Sequence, residues 1–228
     1  MRRAVIGAIL LCSAGFPAAC GGDETTAATS APDSAVVTAA DPAATTAAES
    51  ATTASSTVAA PRPTEVIGAA LPRFEQPEGD PAVGRTPPVV VGADLLTGDV
   101  VQITPRGRPV VVAFYAHWCP HCQAEVAELT GWMESNELPA GVDFYAVSVL
   151  EDATRGNHPP EKWLREEGWQ HPVVADTPAR SVVDAFGLQS VPYLVAIDAN
   201  NAVVLRYAGN LGPDRLADFF AELLESAT

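Results

Sequence analysis

Two cysteines stand three apart in Cys119-Pro120-His121-Cys122, where an apolar run, Pro109 to Tyr115 (PVVVAFY), gives way to a stretch with helical spacing. A disulfide between such close neighbours closes too short a loop to constrain the unfolded chain much, so a structural clip is a poor use of the pair. A structural zinc site wants four Cys or His ligands, and no second pair of this spacing follows. His117, Cys119, His121 and Cys122 nevertheless crowd together, and soft thiolates with imidazole suit Cu(I) or Zn, so copper or zinc binding and delivery is the alternative reading. Redox exchange fits best. A helix N-terminus presents unpaired N–H groups and a partial positive charge, which favours a thiolate at Cys119. Pro120 suits the first helical position, where its missing N–H is no loss. Cys122, one turn on, is within reach of a disulfide and expected to be more buried. Cys119 is therefore the candidate nucleophile and Cys122 the sulfur that resolves the mixed disulfide.

The elements that must position this pair read as follows. Residues 61–88 are rich in Pro and Gly and read as an irregular lead-in. Val89–Val91 and Asp99–Ile103 flank a turn and suggest a β-hairpin. PVVVAFY is apolar on both sides, which implies a sheet covered on both faces. Residues 120–135 follow as a helix, with Ala124, Val126, Ala127, Leu129, Trp132 and Met133 on its apolar side and Glu125, Glu128 and Glu134 on its polar side. A second buried strand is expected over 142–149, a short helix over 161–167 and an extended piece over 171–175. Thr177-Pro178 has the N-cap and N1 signature of a helix running to Phe186. Residues 191–197 and 202–207 form strands around an Asn200-Asn201 turn. Asp214 to Glu225 closes the chain as an amphipathic helix, with Leu216, Phe219, Phe220, Leu223 and Leu224 inward. This order predicts an α/β fold, a mixed sheet with helices on both faces.

The chain opens MRR, then an uncharged apolar run from Ala4 to Phe16, the layout of a signal peptide over residues 1–19. That run is shorter than the roughly 20 residues of a membrane span. Ala18-Ala19-Cys20-Gly21 resembles a bacterial lipobox, which makes Cys20 a candidate for lipidation, although Pro17 stands where an aliphatic residue is usual. From Asp23 to Ala60 the chain is Ala, Thr and Ser with scattered acids and no aromatic residue, Lys or Arg. Such composition cannot offset its ordering entropy and predicts a disordered tether. The organisation expected is thus a signal peptide (1–19), a lipidated cysteine and tether (20–70), and one compact domain (71–228).

A formal charge of −15, with Lys162 the only lysine among 13 basic residues, argues against a nucleic-acid partner. It leaves thiol or disulfide proteins, a membrane anchor and a recycling redox partner as the partner classes.

WCPHC after an apolar strand and SVPYLVAID about 70 residues later resemble the thioredoxin fold. CQAEVAEL, AVSVLED, HPVVAD and GLQSVPYLVAIDANNAVV bring the likeness closer to the extracytoplasmic TlpA/ResA-like thioredoxins, over roughly residues 85–226. The resemblance implies a thioredoxin-like sheet with an N-terminal hairpin extension. It further implies a thiol–disulfide oxidoreductase of the cell envelope acting on exported proteins, with no cofactor beyond the Cys119–Cys122 disulfide. It makes Pro192 a cis proline opposite Cys119, with Val191 offering its backbone to a substrate strand. The family's buried Asp, six residues before the first cysteine, is Ala113 here. Glu125 matches its frequent acidic residue past the pair and is either a substitute carboxylate or a solvated first-turn glutamate. His117 is either a surface histidine or a tuning one, and Trp118 is expected to be exposed in a shallow docking surface.

The direction of exchange turns on His121. An imidazole beside Cys119 stabilises the thiolate and hence the dithiol, which makes the disulfide a better oxidant. DsbA, a strong oxidant, has the same Pro-His pair between its cysteines. The family resemblance pulls toward reduction, since many of its members reduce their substrates.

Overall fold

The structure is a computed structural model that describes residues 63–135, 138–139 and 141–225. The expected signal peptide, Cys20 and the expected tether as far as residue 62 lie outside the described residues. No helix among the described residues is long and apolar enough to cross a membrane.

Twelve elements follow in order: β1 (Glu65–Ile67), β2 (Val89–Ala93), β3 (Val100–Ile103), β4 (Val110–Tyr115), α1 (Pro120–Ser135), β5 (Asp143–Ser148), α2 (Pro160–Glu166), β6 (Val173–Ala175), α3 (Ser181–Ala185), β7 (Tyr193–Ile197), β8 (Val203–Ala208) and α4 (Gly212–Glu225). The main sheet has the order β6-β5-β4-β7-β8. β5 lies parallel to β4 and to β6, while β7 is antiparallel to β4 and β8 to β7. This is the mixed sheet of the thioredoxin fold.

The central strand is buried along its whole length because both of its faces are covered. Val111, Ala113 and Tyr115 point to one core, with Val126 and Leu129 of α1, Trp163 of α2, and Phe219 and Phe220 of α4. Val110, Val112 and Phe114 alternate to the other, with Leu71 and Phe74 of the lead-in, Val90 of β2, and Val182 and Phe186 of the α3 region. Period-two alternation thus makes one strand the partition between two cores.

Several expectations are corrected. The expected hairpin, β2–β3, is present, and it gains a third antiparallel strand that the sequence reading lacked, because Glu65–Ile67 pairs with Val89–Val91. Ordered structure therefore begins inside the segment read as lead-in, before residue 71. Gly92 lets this small sheet approach β6: a Cβ there would stand 2.5 Å from Val174 Cγ1. α3 starts at Ser181 rather than at Pro178, since Arg180 is left-handed (φ 61°) and cannot belong to the helix. Asp176 caps it instead, its carboxylate accepting the N–H of Val182 and Val183. Leu224 is 37 % exposed, not inward. On α1 the buried stripe is Cys122, Glu125, Val126 and Leu129, while Ala124 and Ala127 face solvent. That spacing of i, i+3, i+4 and i+7 overrides the polarity of Glu125.

The lead-in is stapled to β8 by a fully buried ion pair. Arg206 Nε donates to Asp80 at 2.7 Å, its Nη2 donates to the second oxygen, and its Nη1 reaches the carbonyls of Pro72 and Phe186.

Candidate functional site: a dithiol at the head of α1

β4 ends at Tyr115, and four residues later the chain enters α1. The N–H of Cys119 bonds the carbonyl of Ala116 at 3.0 Å, and the N–H of Gln123 bonds the carbonyl of Cys119 at 3.0 Å, so Cys119 begins the helix. Both cysteines are thiols in this structure. Cys119 keeps 7 % of its surface and Cys122 none, so only the first can meet a partner. Burial pushes the Cys122 thiol far up, with the bond from the Ala116 N–H (3.5 Å to Sγ) a smaller opposing effect.

Across the site, the Cys119 thiol donates to the carbonyl of Val191 at 3.7 Å, and the Val191–Pro192 peptide is cis. The carbonyl of Pro192 is itself held by the N–H of Gly209 at 2.8 Å.

Glu125 is 3 % exposed and faces the same core as Cys122. Its carboxylate accepts the N–H of Leu211 at 2.8 Å and also bonds the N–H of Gly212, where α4 begins. Burial raises its pKa to about 7, against those two bonds. Of the two readings open in the sequence, the solvated first-turn glutamate is excluded. Ala113 is buried on the same side of β4, so the carboxylate on this face comes from α1 and not from the strand.

His117 is fully buried. Its Nδ1 lies 2.8 Å from the carbonyl of Gly156 and its Nε2 3.2 Å from the N–H of Asp152. A carbonyl on one side and an N–H on the other fix the neutral tautomer with the proton on Nδ1. The ring pins the 150–157 loop beside the dithiol. Trp118 is half-buried rather than exposed: its Nε1 donates to the carbonyl of Leu150 at 2.7 Å, and the Arg155 guanidinium covers its ring at 3.8 Å. Pro120 and His121 are exposed on the first turn of α1.

The structure therefore brings Cys119, Cys122, Trp118, Glu125, Val191 and Pro192 together around the head of α1, with Pro120 and His121 on its outer surface. It separates His117 from any shared ligand set, since backbone groups occupy both of its nitrogens. Among the described residues no group of three or more His, Cys, Asp and Glu side chains is placed to hold a metal ion. The 150–157 loop and the Asn210–Gly212 turn escape the sequence reading. The only local signal for the turn is its two flanking glycines, Gly209 and Gly212, both at positive φ.

A buried cysteine one turn behind an accessible one, on a sheet of this order, defines a thioredoxin-like thiol–disulfide oxidoreductase. The chain belongs to the AhpC/TSA family, whose model matches residues 67–206. It is 34 % identical over 169 residues to a thiol:disulfide interchange protein DsbE homolog of Paracoccus denitrificans, covering 70 % of this chain and 86 % of that one. It is 31 % identical over 127 residues to the thiol-disulfide oxidoreductase ResA of Geobacillus thermodenitrificans, covering 54 % and 67 %. In structure it is similar to a thiol:disulfide interchange protein of the thioredoxin family from Chlorobium tepidum, with a TM-score of 0.51 at 22 % identity, covering 64 % of this chain and 97 % of that one.

Proposed function

We propose that this protein exchanges disulfides with exported proteins at the bacterial cell envelope, anchored by lipid on Cys20 and recycled by an envelope redox partner. The names of the DsbE and ResA relatives, an interchange protein and an oxidoreductase, support the exchange. The observation that carries it is the placement of the Cys119 thiol against the Val191 carbonyl, beside Pro192. An extended substrate paired with the backbone of Val191 would have its sulfur next to Cys119.

In the reducing direction Cys119 loses its proton to solvent and, as the thiolate, attacks one sulfur of the substrate disulfide; the mixed disulfide forms as the substrate S–S bond breaks, and the other substrate sulfur leaves as a thiolate. Cys122 then gives its proton to the Glu125 carboxylate and attacks Sγ of Cys119. The mixed disulfide breaks as the Cys119–Cys122 bond forms, and the second substrate sulfur leaves as a thiolate. The substrate gains two electrons and the dithiol loses two. The oxidising direction is the reverse, with protonated Glu125 giving its proton to the departing Cys122.

The direction we propose is oxidising, set by the exposed imidazole of His121 on the first turn of α1. The test is the redox potential of the Cys119–Cys122 pair in the natural protein and in His121→Pro. A value well above the roughly −270 mV of thioredoxin, falling on substitution, is expected. A value near that of thioredoxin and unmoved by the substitution would overturn the oxidant reading.

A further inference from the structure

The backbone that meets Cys119 is held from outside the main sheet. Where α3 ends, the carbonyls of residues 185–188 are all taken, and the lead-in supplies much of what takes them. Leu71 N–H bonds the carbonyl of Ala185 at 2.8 Å, and Phe74 N–H bonds that of Gly187 at 2.9 Å. Arg206 Nη1 donates to the carbonyls of Phe186 at 3.1 Å and Pro72 at 2.8 Å, so one guanidinium ties the two segments together. Gln189 Nε2 closes the turn on the carbonyls of Gly187 (3.1 Å) and Leu188 (2.9 Å). The fit leaves no slack. Gly187 is left-handed (φ 68°), and a Cβ there would collide with the Pro72 carbonyl oxygen.

Gln189 is in turn held from the lead-in. Arg73 Nε donates to its Oε1 at 3.0 Å, and Arg73 Nη2 donates to the same oxygen. Two residues further on, the Val191 carbonyl meets the Cys119 thiol at 3.7 Å. We propose that Arg73 is a positioning residue for substrate docking: through Gln189 it fixes the turn that sets the Val191 backbone beside Cys119. The inference rests on the reading that an extended substrate pairs with the backbone of Val191. It makes the lead-in, which lies outside the five-stranded sheet, part of what binds a protein substrate.

A docking edge that is ordered in advance spares the complex the entropy of ordering it. On the far side, Gly209 N–H holds the Pro192 carbonyl at 2.8 Å, so the Val191–Pro192 pair is fixed from both ends by separate partners. Arg73 and Gln189 are exposed, so their bond adds little to global stability, and what it fixes is local. Without Arg73 the Gln189 amide keeps its bonds to the Gly187 and Leu188 carbonyls but loses its tie to the lead-in, and the Val191 backbone samples more positions. The cost falls on affinity for a chain that pairs with Val191, not on the chemistry of the two sulfurs.

The test is the oxidation of the reduced full chain by two disulfides: a small disulfide-bonded protein, and dithiobis(nitrobenzoic acid), which has no peptide backbone to pair with Val191. Arg73→Ala should raise the half-saturating concentration of the protein about three- to tenfold, the size of one modest hydrogen bond, at an unchanged limiting rate. The rate with the aryl disulfide should stay unchanged. In a Gln189→Ala background, Arg73→Ala should cost nothing further, because the residue through which it acts is gone. An equal loss with both disulfides, no loss with the protein, a loss confined to the limiting rate, or the full loss repeated in the Gln189→Ala background would overturn the proposal. The reading beneath it fails separately. If the Val191 amide gains no protection from hydrogen exchange when a protein is trapped on Cys119 of the Cys122→Ser variant, substrate does not pair with that backbone at all.

Discussion

Glu125 lies three residues beyond Cys122 on the one stripe of α1 that is buried, so a carboxylate and the Cys122 thiol are both withdrawn from solvent on the same side of the helix. The cost of that arrangement falls on the carboxylate. Among the described residues its charge is held by the Leu211 and Gly212 N–H groups at the head of α4.

That cost is measurable as a pH dependence of stability. The Glu125 pKa rises from 4.5 to about 7 on folding, so the folded state binds a proton that the unfolded state has given up. Its contribution is fully present below about pH 4.5 and is lost as pH rises through 7. The shift corresponds to about 3 kcal/mol. Glu125→Gln, which keeps an acceptor for Leu211, removes this term. In denaturant titrations the variant should match the parent at pH 4 and exceed it by about 2–3 kcal/mol at pH 8. Equal stability at pH 8 would show that the buried carboxylate is not strained.

His117→Phe tests the pin on the 150–157 loop. It keeps the buried volume but deprives the Gly156 carbonyl and the Asp152 N–H of their partner. The expected loss is ~1–3 kcal/mol, together with faster amide hydrogen exchange at Asp152. Trp118 should respond too, because its own partner is the Leu150 carbonyl on the same loop. Unchanged exchange at Asp152 would mean that the loop holds its shape without the ring.

Arg206→Met tests the staple of the lead-in. Burial pushes the Asp80 carboxyl up, but the Arg206 guanidinium and the Ala82 N–H bring it below the ordinary carboxylate value. Removing Arg206 leaves Asp80 buried and unpaired, at ~3–5 kcal/mol. Adding Asp80→Leu should recover a large part of that loss, since the uncompensated charge is its main source. A double variant no better than the single one would place the stability in the Pro72 and Phe186 carbonyl bonds instead.

Much of this was legible in the sequence. PVVVAFY had to be a central strand because it is apolar at every position, and the helix of residues 120–135 is where the spacing places it. What escaped depends on partners far along the chain. His117 is buried because residues 152 and 156 come back to it, and nothing near position 117 says so. Glu125 reads as a surface residue of a Glu-rich helix until α4 supplies two N–H groups 86 and 87 residues later. The start of α3 failed for a local reason: Thr177-Pro178 does initiate a turn, but Asp176 is the capping side chain and Arg180 breaks the helical path. The strand at Glu65–Ile67 is three residues long, too short for a period to show.

The central claim is the division of labour between the two sulfurs. It is tested most directly by mixing each single-serine variant with a disulfide-bonded protein and weighing the products by mass spectrometry. Cys122→Ser should accumulate a covalent adduct on Cys119, because the buried sulfur that would release it is gone, and Cys119→Ser should form none at position 122. An adduct forming as readily on Cys122 in the Cys119→Ser variant, or no adduct in Cys122→Ser, would contradict the account.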